Sequence, residues 1–187
     1  MTVNLMPFDE LNTLEMVIQP YFADGRIRNE HDLDEILDMM EDLFLLAYAN
    51  GVASANVMTG ASSEPVSVEE VQKTVDRKVA GKTWRQRVEE YYSDGGTEAD
   101  IARIMETEMH RDYNEAALAT AKRNGATTKI WMTMMDDRVR EQHEYLQSMR
   151  VGINEDFYTY DGDHASAPGG FELAENNVNC RCYLMFS

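Results

Sequence analysis

Lys129-Ile-Trp-Met-Thr-Met-Met-Asp-Asp-Arg-Val-Arg-Glu-Gln-His143 is the stretch on which the reading of the fold turns. Before Gly125 the apolar residues recur at helical spacing. From Lys129 to Met135 they alternate instead, with Ile130, Met132 and Met134 set against Trp131, Thr133 and Met135. A period of two that is apolar on both faces predicts a central strand. Asp136 stands at an N-cap position and predicts a helix over 137–148. The closing run repeats the alternation: Cys180, Cys182, Leu184 and Phe186 share one face of a second strand, Arg181, Tyr183 and Met185 the other. Between them lie a short extended piece, Val151–Ile153, and a loop from Tyr158 to Phe171. The Gly, Pro and Asp content of that loop argues against a core role. The expected class is α+β, a helix-rich N-terminal part followed by a small antiparallel sheet packed on helices.

Working back towards the N-terminus, the spacing predicts a helix over 8–22 that carries Leu11, Leu14, Val17 and Ile18 and ends at Pro20. Asp24-Gly25 predicts a turn. Asn29 is an N-cap, followed by acids that suit the first turn, and Leu33, Ile36, Leu37, Met40, Phe44 and Ala47 form one apolar stripe that Gly51 or Gly60 stops. Residues 59–66 are small and polar and read as a linker. It divides an acidic helical N-terminal arm, 1–62, from a domain over 67–187. Ser67 with Glu70 makes a capping box, opening a helix whose stripe is Val68, Val71, Val75 and Val79. Trp84, Val88, Tyr91 and Tyr92 continue the helical pattern. Thr97 with Asp100 caps a long helix through Ile101, Ile104, Met105, Glu108, Asp112, Ala116 and Ala119 to Asn124-Gly125.

The formal charge of −17 is uneven: residues 1–70 hold 14 acids against Arg26 and Arg28, residues 71–150 hold 14 of each sign, and residues 151–187 hold six acids against Arg181. Such a surface repels duplex DNA rather than recruiting it. No apolar run approaches the roughly 18 residues of a membrane span, and the N-terminus has no secretory pattern. A disulfide between Cys180 and Cys182 would be strained and would close almost no loop, so a reducing site of synthesis is expected.

Two chemical readings compete for the C-terminal cluster. In the first, His143, Cys180 and Cys182 bind zinc, with Asp136, Asp137 or His164 as a fourth ligand. A thiol or metal hydrolase built on His143, Cys180 and Cys182 is the catalytic variant of it. In the second, the cysteines are small core residues and the polar residues form a structural network of Glu108, Arg111, Trp131, Asp136, Arg138, Arg140 and Arg181. Glu108 lies on the apolar stripe of the long helix, so it needs a cationic partner. Arg138, Arg140 and Arg181 are the candidates, with Asp136 capping a helix and His143 bonded to a backbone carbonyl. Asp161-Gly-Asp163 has too few ligands for a calcium loop.

The ordered set Thr107-Glu108…Arg111, Lys129-Ile-Trp131, Asp136-x-Arg138-Val-Arg140-x-x-His143, Phe157, Pro168 and Asn179-Cys-Arg-Cys182 resembles the minor head, or head-morphogenesis (Mu F-like), family of tailed bacteriophages. The resemblance covers roughly residues 70–187 and makes 67–187 the head-morphogenesis domain. It implies a structural protein of the head interior, associated with the portal and inner capsid, present in the host cytoplasm during assembly and supporting packaging or ejection. It implies no established enzymatic activity; apart from the zinc of the first reading no cofactor is expected, and the absence of an apolar run leads to no expected membrane partner. Contact with genome DNA is implied for some relatives, against which the charge of this chain weighs. Longer relatives carry fused toxin-like domains; none is expected here.

Overall fold

The computed structural model describes residues 16–61 and 66–187. The expected 8–22 helix therefore lies mostly outside the described residues, as does the middle of the linker. Residues 16–18 are helical, and Pro20 sits in the first turn of a 3-10 segment, Gln19–Tyr21, where its missing N–H costs nothing. A two-residue hairpin follows, β1 (Phe22–Ala23) against β2 (Arg26–Ile27). Its turn, Asp24-Gly25, has positive φ at both residues (52° and 74°), the hand that matches strand twist.

Helix α1 runs from Glu30 to Thr59. Asn29 caps it by accepting from the Asp32 amide at 3.0 Å, and Arg28 pairs with the Asp32 carboxylate at 2.7 Å. Gly60, at φ 65°, closes the helix by donating back to the carbonyls of Asn56 and Val57. The helix passes through Gly51 unbroken, so that glycine is not a stop.

Helix α2 (Val68–Val75) opens on Ser67, whose hydroxyl accepts from the Glu70 amide. The reciprocal arm of the expected capping box is diverted: the Glu70 carboxylate takes Arg123 at 2.5 Å and the Tyr48 hydroxyl at 3.4 Å. The valine stripe is also shorter than expected. Val75 is buried, but Val68 is 82 % exposed and Val79 lies beyond the helix in a tight turn with Lys82. Helix α3 (Trp84–Ser93) has a capping box of its own, Thr83 with Gln86, which the sequence reading passed over. Helix α4 (Glu98–Arg123) starts on the expected Thr97–Asp100 box.

Helices α1 and α4 form the spine, and one apolar cluster covers each end of it. The first joins Leu33, Ile36, Leu37, Met40 and Phe44 to Trp84, Val88, Ile101 and Met105. The second joins Ala55, Ala117, Leu118 and Ala121 to Trp131, Leu146, Phe157, Phe171, Cys180, Cys182, Leu184 and Phe186. Helices from both sides of the 59–66 linker thus share one interior.

The expected α+β architecture forms. Strand β3 (Thr128–Met132) is central in a three-stranded antiparallel sheet, with β4 (Arg150–Gly152) on one side and β7 (Tyr183–Phe186) on the other. Trp131 faces Leu184 and Lys129 faces Phe186 across the ladder. Both strands are shorter than their alternation suggested. Beyond Met132 the chain leaves the sheet, and Met135 takes φ 57°; Cys180 to Cys182 keep the alternating burial without joining the ladder. The 137–148 helix shrinks to α5 (Glu141–Leu146), whose N-cap position is Arg140 and not Asp136. The Asp136 side chain instead accepts from the Arg138 amide at 3.2 Å, holding 136–139 in a turn.

The loop from Tyr158 to Phe171, expected outside the core, is partly buried together with the preceding Phe157. It carries a small hairpin, β5 (Phe157–Tyr158) with β6 (His164–Ala165), and buries Phe157, Ala165, Ala167 and Phe171. Its organiser is Asp163, which accepts from the amides of His164, Glu172 and Leu173 and from the Asn176 side chain, the last at 2.7 Å on helix α6 (Ala174–Asn177). One carboxylate satisfies the backbone of an irregular loop, which is how such a loop can be buried. With those oxygens taken by N–H donors, Asp163 is not a calcium ligand.

Among the described residues no helix is long and apolar enough to cross a membrane.

Candidate functional site

Helix α5 and the run before β7 meet over the end of β3. His143, the third residue of α5, turns its Nδ1 to two sulfurs at once, 3.6 Å from Cys180 Sγ and 3.5 Å from Cys182 Sγ. The three ligand-capable atoms lie within 4.8 Å of one another, and all three residues are buried. Strand alternation puts the two cysteines on one face; the positive φ of Asn179 (56°) aims that run at α5. Trp131 packs edge-on against the imidazole at 5.6 Å, and Phe171 stacks on it at 5.6 Å. His143 Nε2 has no hydrogen-bond partner among the described residues. The expected bond from His143 to a backbone carbonyl is therefore not the one that forms.

The two thiols are not equivalent. Cys180 is held well below the usual thiol range, first by a hydrogen bond from Cys182 and then by one from His143. Cys182 is pushed up, by serving as that donor and by burial. Behind them, burial pushes the His110 imidazole down. Asn114 ties this layer together, donating to the His110 carbonyl at 3.0 Å and to the Cys182 carbonyl at 3.3 Å.

The fourth ligands considered from sequence do not join this set. Asp136 is clamped by Arg181 through two bonds of 2.6 and 2.8 Å, which hold its carboxyl below the ordinary range. Asp137 is exposed in the turn. His164 stacks on Tyr158 at 5.4 Å, away from the sulfurs. Beside the cluster is a cavity of ≈ 10 Å³ lined by Met134, Val139, Asn179 and three arginines, Arg138, Arg140 and Arg181, together with the three cluster residues. On that measure one water-sized sphere needs roughly 10–15 Å³, so a single atom fits there and an organic substrate does not.

The polar network forms with different pairings. Glu108 does not reach Arg138, Arg140 or Arg181. It bonds Arg87 of α3 at 2.5 Å and Arg111, one turn along its own helix, at 2.5 Å. The reason is position: α5 begins only at Glu141, so Arg138 and Arg140 lie in the loop at the cavity mouth. There Arg138 is 3.8 Å from Asp136, and Arg140 donates to the Val178 carbonyl. Asp112, which the sequence reading placed on the stripe without a role, is fully buried beside Arg111 at 3.2 Å, and burial pushes its carboxyl up to about 8.

Two further residues have roles that no local pattern in the sequence marks. Lys129 is buried; its ammonium donates to the Ser166 carbonyl at 2.7 Å and lies over the Phe157 ring at 5.3 Å. Burial pushes its pKa down to about 8. Gly169, at φ 87°, lets the buried loop touch α4: a Cβ there would sit 3.0 Å from the Cα and Cβ of Arg111. Gly169→Ala is expected to cost about 1–3 kcal/mol through strain at positive φ and contact with the helix. Urea unfolding measures it, and an unchanged midpoint would show that the loop is not seated on Arg111.

A family model described as "Phage Mu protein F like protein" matches residues 56–185. The chain belongs to this family. The Mu F-like module thus takes in the end of α1, all of α4, the sheet and the His143–Cys180–Cys182 cluster. Among relatives, "Minor head protein GP7" of Bacillus phage SPP1 is 24% identical over 155 residues, covering 72% of this chain and 50% of that protein. "NAD(+)--arginine ADP-ribosyltransferase EFV" of Enterococcus faecalis (strain ATCC 700802 / V583) is 25% identical over 146 residues, covering 60% of this chain and 30% of that protein. The chain therefore spans half the length of the first and under a third of the second. No solved structure matches the chain.

Proposed function

We propose that this Mu F-like chain is a structural and assembly component of a phage head, a minor head protein held at the portal on the inside of the capsid. It would be made in the host cytoplasm, join the head during assembly and support packaging or ejection of the genome. The observation that carries this reading is the family match over residues 56–185, which spans the module from α1 to β7. The interior of that module supports a scaffold. The His143–Cys180–Cys182 cluster is closed over by Trp131 and Phe171, and the adjoining cavity takes about one water-sized sphere. A hydrolase needs room for a substrate beside its nucleophile, so the catalytic alternative is not favoured. Contact with the genome would be confined to the charge-balanced 71–150 segment, because the flanks are strongly acidic.

The test is composition and capture. Purified heads are expected to contain this chain at low copy, and the portal protein, co-expressed, is expected to retain it on an affinity column. Heads that lack it, together with no portal retention, would remove the reading.

A further inference from the structure

We propose that His143 Nδ1, Cys180 Sγ and Cys182 Sγ are three ligands of one bound zinc ion, with the fourth position opening into the small cavity at the Arg138–Arg140 turn. The geometry is the first argument. Zinc bound at about 2.3 Å to sulfur and about 2.0–2.1 Å to imidazole nitrogen, at a tetrahedral angle, sets sulfur and nitrogen roughly 3.5–3.6 Å apart. The two observed separations are 3.6 and 3.5 Å.

The second argument is valence. An imidazole ring nitrogen offers one in-plane position, a lone pair or an N–H according to the tautomer, and so makes one good hydrogen bond. Here two sulfurs approach the same Nδ1 at nearly equal distances. A metal ion between the three atoms accounts for both approaches; a thiol–imidazole hydrogen bond accounts for one. Charge also fits. Zinc with two thiolates and a neutral imidazole is a neutral set, which suits a buried place, and the two thiol protons leave to solvent on binding. The fourth ligand is water, since Asp136 is clamped by Arg181 and the cavity of ≈ 10 Å³ admits one small ligand. Such a centre would bind helix α5 to the run before β7. It would do so at the only place among the described residues where three ligand-capable side chains of this kind converge.

The experiment uses the full chain, purified under reducing conditions and dialysed against zinc. Elemental analysis is expected to give one zinc per chain, and cobalt in its place is expected to give thiolate-to-metal charge-transfer absorption with the intense visible bands of a tetrahedral site. In Cys182→Ser the metal content falls to background while the helical circular dichroism of α1 and α4 is kept. Should that variant not fold, the cobalt spectrum of the unaltered chain decides alone. Background zinc in the unaltered chain, cobalt without charge-transfer absorption, or a full equivalent retained by a folded Cys182→Ser, would each overturn the site. The outcome is independent of whether the chain is found in heads.

Discussion

Gly51→Ala is expected to lower the stability of the chain by about 2–3 kcal/mol, moving Tm down by roughly 5–10 °C. On propensity alone the change should help, since alanine is favoured over glycine inside a helix by about 0.5–1 kcal/mol. Packing decides otherwise. A Cβ at Gly51 would lie 2.2 Å from the Tyr113 carbonyl oxygen and 3.0 Å from the Ala116 Cβ. The first is backbone of α4 and cannot swing aside, so the two long helices must part, and both clusters they carry loosen with them. Gly60→Ala serves as the contrast. Among the described residues nothing lies within 4 Å of its missing side chain, and its φ of 65° is what resists substitution, so about 1 kcal/mol is expected there. Thermal unfolding of the pair checks the claim. Equal losses at the two positions, or a gain at Gly51, would show that the helices do not touch there.

The two glycines also mark where the sequence was legible and where it was not. Each was a reasonable stop for α1 by local rules, and only one is. A glycine required by a neighbouring helix 60 residues away carries no local signal that separates it from a cap. Features that obey local rules were readable: the Asn29 and Thr97 caps, the stripe from Leu33 to Ala47, and the alternation that puts Trp131 and Leu184 in facing strands. So was the common face of Cys180 and Cys182, because period two needs no partner to be seen. Failures fell where a side chain chose a distant partner over its local one. Asp136 takes Arg181 and a two-residue turn instead of capping 137–148. Glu70 takes Arg123 instead of closing its box. Asp163 gathers three amides and an asparagine, turning a polar loop into part of the interior. Glu108 was read correctly as an inward carboxylate in need of a cation, but the cation came from α3 and from its own helix.

Arg111, the cation that Glu108 takes from its own helix, carries the second large effect. Arg111→Leu is expected to cost about 3–5 kcal/mol at pH 7, the range for removing one partner from a buried ionic set. Arg111 is 2 % exposed and its guanidinium contacts Glu108 at 2.5 Å and Asp112 at 3.2 Å. Without it the buried Glu108 keeps Arg87 as its cation among the described residues, and Asp112 loses the cation that favours its ionised form. The pH dependence separates this from simple loss of packing. Asp112 has a folded pKa of about 8, raised by burial and by Glu108 and held back by Arg111. An unfolded aspartate titrates near 3.9. Between those values the folded state holds the extra proton, so the contribution of this group to stability falls as pH rises, by at most about 1.4 kcal/mol per unit. Below pH 4 both states are protonated and the penalty is absent. In Arg111→Leu the opposing cation is gone and Asp112 keeps its proton to higher pH, so this group leaves the deficit unchanged while it is protonated in both folded chains, and the deficit should widen only as pH rises through about 8, where the unaltered chain ionises Asp112. Asp112→Asn removes the titrating group. In the unaltered background it should raise stability at pH 8 and change little at pH 4, and combined with Arg111→Leu it should recover part of the loss. A deficit in Arg111→Leu that does not widen between about pH 7 and pH 9, with no recovery from Asp112→Asn, would mean that Arg111 acts through its bulk and that the acids beside it do not depend on its charge.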